Sequence, residues 1–240
     1  MKTLDVPQRG KRGSTVASRN HYGPHQRKHA SPNKRRTGAQ FQARRGFARV
    51  SGSLADLTEA QRQAWEVAAP QVKSKAVFGR SWPLTGQNFY QKINTARAAL
   101  GFEPLLLPPT PVTFGPNPVG LFTITHDREA LALKLAVAKV PAEDIAVYAS
   151  PPCSRGRRRC WDLRLLGLLP APHGGVSDIT TQYLNKYGPP PAGKRIFIST
   201  RQHLNGWQSR PVLTSAVVPV RQRPAPSRKP RQPSRPDPRV

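Results

Sequence analysis

Residues 153–161 of the 240-residue chain, Cys-Ser-Arg-Gly-Arg-Arg-Arg-Cys-Trp, hold its densest group of chemically pointed side chains. Arg155, Arg157, Arg158 and Arg159 set four guanidiniums within five residues. Each offers a planar fork of donors that matches a phosphate or a carboxylate. Contact with phosphates or with an acidic partner is the chemistry expected of them. Trp161 could stack a base beside them. A strand is predicted over residues 161–169, however, and a large ring at its start is expected to pack inward.

Cys153 and Cys160 flank this run and admit three readings. They could close a disulfide, which for so short a loop contributes roughly 2–3 kcal/mol by chain entropy if the compartment oxidises. They could give two thiolates to zinc, but a structural site takes four ligands and His173 is the only further one nearby. The expectation is the third: two thiols, reduced or bridged on occasion, at the base of a loop.

Elsewhere the chemistry is thinner. His21, His25 and His29 fall at i, i+4 and i+8, which on a helix would align them for a metal, but Gly23 and Pro24 break that helix. A solvated basic arm whose histidines gain charge at acid pH is expected instead. Asp56 and Glu59 suit a helix start, and Glu143 and Asp144 suit an exposed turn. The chain has no Gly-rich phosphate cradle, no nucleophile elbow and no His-Glu-x-x-His. A protein that is not an enzyme and uses no cofactor or metal is expected.

The net charge is +27 and the isoelectric point about 11.6, and the excess gathers at the ends. Residues 1–50 carry 13 Lys and Arg against Asp5, and residues 221–240 carry 7 against Asp237. Such arms repel themselves and need a polyanion or an acidic surface. Arg27, Lys28, Lys34, Arg35, Arg36, Arg44 and Arg45 in front, and Arg228, Lys229 and Arg231 behind, join the loop arginines as candidate contacts. The 27 prolines favour extended linkers. No run approaches the roughly 18–20 apolar residues of a membrane span, and the start lacks the apolar core of a secretory signal. A cytoplasmic origin is the expectation, with or without association with a particle. The Arg-rich start resembles a transit peptide only in composition.

The elements that must position these residues are legible in outline. Residues 1–36 read as an extended basic arm with at most a short strand at 15–18. A helical region follows over residues 37–103. Thr37 and Gln40 form a capping box that opens a basic helix ending near Val50, with Gly46 weakening it. Thr58 and Gln61 form a second box, and Thr85 caps a third helix that carries Phe89, Ile93, Ala96 and Leu100 on one face and Gly101 at its end. A Pro-rich connector over 104–118 marks a boundary. Strands are predicted near 121–125, 130–139, 145–150, 161–169, 179–184, 195–202 and 207–218, and a basic Pro-rich tail follows over 220–240. Asn205 and Gly206 supply the type I′ turn between the last two strands, and Pro211 places an edge or bulge in the return strand.

Seven short strands over roughly 100 residues are the pattern of an immunoglobulin-like sandwich. The stretches Asp-Ile-Ala-Val-Tyr at 144–148, Pro-Ala-Gly-Lys-Arg-Ile-Phe-Ile at 191–198 and Asn-Gly-Trp-Gln-Ser at 205–209 resemble the middle and closing strands of fibronectin type III domains. The front half resembles a group of bacterial and phage-associated proteins of unassigned activity. That likeness rests on Ser-Arg-Asn-His-Tyr-Gly at 18–23, on Thr37, Gln40, Arg44 and Phe47, and on Leu-Thr-Glu-Ala-Gln-Arg-Gln-Ala-Trp at 57–65. The fold class expected is mainly β with an α-helical N-terminal part, an antiparallel sandwich of the immunoglobulin or fibronectin type III kind over 119–219. The function expected is a structural or assembly module, of a phage-derived or other particle, whose basic arms contact neighbours or nucleic acid. The alternative is a stand-alone nucleic-acid-binding protein without sequence preference. An adhesion module fits the charge poorly.

Overall fold

In the computed structural model, Asn205 and Gly206 take φ of 49° and 88°. They reverse the chain between β9 (Arg195–Leu204) and β10 (Trp207–Gln208). Positive φ at both central positions gives the twist that an antiparallel pair needs. The return strand then breaks. Trp207 faces Leu204 and Gln208 faces His203, but β11 (Val212–Val217) resumes with Val212 opposite Thr200, one residue out of step. The extra residue falls at Arg210 and Pro211, where a ring without an N–H cannot sustain the ladder. Ser209 bridges the gap by accepting the Gln202 N–H on its hydroxyl at 2.9 Å.

Residues 9–20, 23–30, 37–74, 76, 79, 81–127 and 130–220 are described, in two units that divide between Arg45 and Gly46. The chain is mainly sheet. In the first unit β1 (Gly10–Arg12), β2 (Thr15–Asn20) and β3 (Gly23–Lys28) form an antiparallel meander. Residues 10–20 and 23–28 therefore hold a small sheet where an extended arm was expected. Gly13, at φ 58°, makes the first reversal available, a conformation that costs glycine little. α1 (Gly38–Ser53) opens on the reciprocal Thr37 and Gln40 bonds.

In the second unit, α2 (Glu59–Ala68) and α3 (Gly86–Ala99) start where their caps predict. Thr58 Oγ1 accepts from Gln61 N and Gln61 Oε1 accepts from Thr58 N, while Thr85 Oγ1 accepts from Asn88 N. α3 ends in a Schellman motif around Gly101 at φ 87°: Gly101 N donates to the Ala98 carbonyl and Phe102 N to that of Arg97. Trp65, 1 % exposed, meets Phe89 and Tyr90 edge to face, each at 5.1 Å. Val50, Leu57 and Ile93 complete this helical core. Burying one side chain of this class contributes roughly 1.5–3 kcal/mol. The Pro-rich connector is fastened to the helices: Asn94 exchanges two hydrogen bonds with Leu105, and Trp65 Nε1 donates to the Leu106 carbonyl at 2.9 Å.

Two sheets fill residues 119–217. One pairs β4 (Val119–Asp127), β5 (Ala130–Val137) and β8 (Val176–Asp178) in that order. The other runs from β10 and β11 on one edge through β9 and β6 (Asp144–Ala149) to β7 (Arg164–Leu168). Alternate residues of both, among them Leu133, Leu135, Ile145, Val147, Ile196 and Ile198, share one buried core. The strand predicted at 179–184 is instead α4 (Thr180–Tyr187). Ile179, Tyr183 and Tyr187 recur every four residues and all pack on the common core, which selects the helix. No helix of the described residues is long and apolar enough to cross a membrane.

Candidate functional site

The base of the arginine loop is built by β9. Cys153 forms a two-way bridge with Arg195: Cys153 N donates to the Arg195 carbonyl at 2.8 Å, and Arg195 N to the Cys153 carbonyl at 2.9 Å. Cys153, Cys160, Phe197 and Leu163 then close a small apolar cluster beneath the loop. Ser150 ties the cluster to the sheet, since its hydroxyl accepts from Phe197 N at 3.0 Å and donates to the Pro151 carbonyl at 2.9 Å. Arg195 braces the loop from below, with Nε donating to the Arg155 carbonyl at 3.0 Å and Nη1 to Ser215 Oγ at 3.2 Å.

The four loop arginines are all exposed but not equivalent. A turn closes from Arg157 N to the Ser154 carbonyl at 3.0 Å. Arg157 then folds back, its Nε donating to the Arg159 carbonyl at 2.9 Å and its Nη1 lying 3.9 Å from Cys153 Sγ. The side chains of Arg155, Arg158 and Arg159 have no partner among the described residues. Three guanidiniums are thus free for an anion, and the fourth holds the loop in shape.

Trp161 does not pack inward. It is 84 % exposed, because β7 begins only at Arg164. The next residue, Asp162, is held by Arg164 through bonds of 3.0 Å and 3.2 Å. That exposed pair engages the carboxylate that follows the indole in the chain. Trp161 lies at a bend before β7, outside the strand whose alternation would have turned it inward.

The two thiols are free and buried, with sulfurs 3.8 Å apart. Burial is the largest influence on Cys160 and pushes its pKa up, with the facing Cys153 adding to the shift and Arg157 opposing it. A raised pKa keeps the nucleophilic thiolate scarce at neutral pH. No group of three or more His, Cys, Asp or Glu among the described residues is placed to hold a metal.

The other predicted contacts are scattered. Arg27 and Lys28 are exposed at the end of β3, and Arg44 and Arg45 are exposed on α1. Lys34, Arg35, Arg36, Arg228, Lys229 and Arg231 lie outside the described residues. His25 sits in β3, so the helical alignment with His29 does not form, and His21 lies outside the described residues. Arg201 serves the framework, its guanidinium 5.2 Å from the Tyr148 ring centre and its Nη1 donating to Gln208 Oε1 at 3.2 Å. Comparison with protein-family models, curated proteins and solved structures finds no match. The loop must be judged on its own geometry. Sequence reasoning missed the bracing role of Arg195, whose cue was its place at the first position of a buried strand facing the loop.

Proposed function

We propose that the chain is a non-enzymatic module that grips nucleic-acid phosphates, with the arginine loop as its built contact and the basic terminal segments adding charge. One observation carries this reading: Arg155, Arg158 and Arg159 stand exposed and unpaired among the described residues, on a loop braced by Arg195 and Arg157. A guanidinium held outward by a fixed backbone loses little entropy on binding a phosphate. Displacement of counterions makes such binding fall steeply with salt, with a slope of about 0.9 for each duplex phosphate neutralised. The test is fluorescence anisotropy on a random-sequence duplex across a salt series, for the full chain and for R155Q/R158Q/R159Q. The variant keeps Arg157 and therefore the loop. The slope should fall by about 2–3; an unchanged slope would remove the loop from the contact.

A second reading, assembly of a particle through neighbour contacts, draws on two other observations. Phe41 and Phe47 stand 57 % and 49 % exposed on α1. The strands of residues 119–217 are split three and five between two sheets, with β10 and β11 as the two pieces of one interrupted return strand and β7 beside β6, an order that supports the fibronectin type III likeness. Light scattering on nucleic-acid-free protein tests it, and a strict monomer at high concentration would count against it.

A further inference from the structure

We propose that the loop takes single-stranded nucleic acid in preference to duplex, with Trp161 as a stacking platform for an unpaired base. This rests on the phosphate-binding reading above. The observation behind it is the setting of the indole. Trp161 is far more exposed than Trp82, at 84 % against 41 %, while Trp65 is buried and Trp207 half-buried. It contributes almost nothing to the core, so its burial cannot account for its position. It lies next to Cys160, whose buried side chain anchors the backbone, and stands two residues after Arg159. Asp162, the next residue, is engaged by Arg164.

An exposed indole on the same short stretch as three exposed, unpaired guanidiniums offers partners for the two repeating features of a single strand, the phosphate and the unstacked base. A duplex offers the first without the second. Its bases are already stacked, and exposing one to the indole would require unstacking a step. Any base presents a π-face, so the preference is for strandedness and not for sequence.

The experiment compares a labelled 15-nucleotide oligothymidylate with a random 15-base-pair duplex, at one salt concentration, on the full chain and three variants. W161A should weaken the oligothymidylate by about fivefold to a hundredfold, the range for loss of one base stack, and leave the duplex unchanged. W161F should restore most of the loss, because it keeps a ring. R155Q/R158Q/R159Q should weaken both probes. Circular dichroism melts of W161A should match the parent, as expected for a side chain this exposed. If W161A weakens neither probe, or both equally, the single-strand inference is overturned, while a weakened R155Q/R158Q/R159Q still supports phosphate binding. If R155Q/R158Q/R159Q binds both probes like the parent, the phosphate reading and the inference fall together.

Discussion

Trp161 and Trp207 follow similar local rules and have opposite fates. Each follows a turn-bearing stretch of chain. Trp207 comes directly after the Asn205 and Gly206 turn, takes a lysine against its ring and is built into the helical core, whereas Trp161, after Cys160 at the end of the arginine loop, stands in solvent. Trp207 packs on Phe89 at 5.6 Å, with the Lys92 ammonium 5.7 Å from its ring centre. Gly206 makes that docking possible. A Cβ there would lie 2.5 Å from Ile93 Cγ2 and 2.8 Å from the Ile93 carbonyl oxygen. Beside it His203, 1 % exposed, stacks on Phe102 at 5.7 Å with the rings 9° from parallel. Trp161 has no such neighbour. The difference shows that an aromatic beside cations is neither a binding site nor a core residue by type. What decides is whether another element arrives to cover it, and α3 reaches the hairpin tip while the arginine loop stays open.

This contrast can be broken from either side, and the largest effect is expected at the tip. Gly206→Val forces a side chain into backbone at a positive φ and should destabilise the protein by about 3 kcal/mol or more. Trp207→Ala should cost about 2–4 kcal/mol by opening a cavity against Phe89, whereas Trp161→Ala should stay within about 0.5 kcal/mol of the parent. Urea denaturation measures all three, and similar losses for the two tryptophan variants would erase the distinction.

The thiols beneath the loop offer a smaller and reversible change. Treatment with a disulfide oxidant such as glutathione disulfide should bridge Cys153 and Cys160. Two thiol protons leave, one S–S bond forms, and the oxidant is reduced to two thiols. Intact mass should fall by two hydrogens, and stability should rise by roughly 2–3 kcal/mol if the loop geometry is kept. Reaction should speed up with pH, since the thiolate is the nucleophile and burial holds Cys160 protonated to higher pH than a free thiol. A stable mixed disulfide, with no internal bridge, would show that the sulfurs cannot meet.

The smallest effect concerns pH. Burial, the leading cause, lowers the His203 pKa, with Arg97 acting in the same direction and Asp144 opposing. The unfolded chain therefore takes up a proton at this site before the folded one does. Stability from the neutral ring is complete above the ordinary histidine range, about 6.5, and is lost as pH falls through the lowered value. A melting temperature that drops between pH 7 and 5 in the parent, and drops less in His203→Gln, is the expected result.

Much of this framework was legible beforehand. Caps, the Asn205 and Gly206 turn, the Pro211 interruption and the strand over 130–139 are local signals, and each names its own structure. What could not be read was tertiary. Nothing in residues 179–184 alone chooses between a β-branched strand and a helix whose every fourth residue meets the sheets. Nothing near Trp207 announces α3 as its cover. At the candidate site the arginine run was plain from composition, but its division into three outward guanidiniums and one brace depends on carbonyl positions that only the folded loop sets.

Arginine footprinting tests the central claim most directly. A dicarbonyl reagent is applied to the full chain with and without oligothymidylate, and modified sites are read by mass spectrometry. Arg155, Arg158 and Arg159 should react freely alone and become protected in the complex, while Arg201, held on Tyr148 and Gln208, stays slow in both. Equal modification of the three loop arginines with and without the strand would contradict the account.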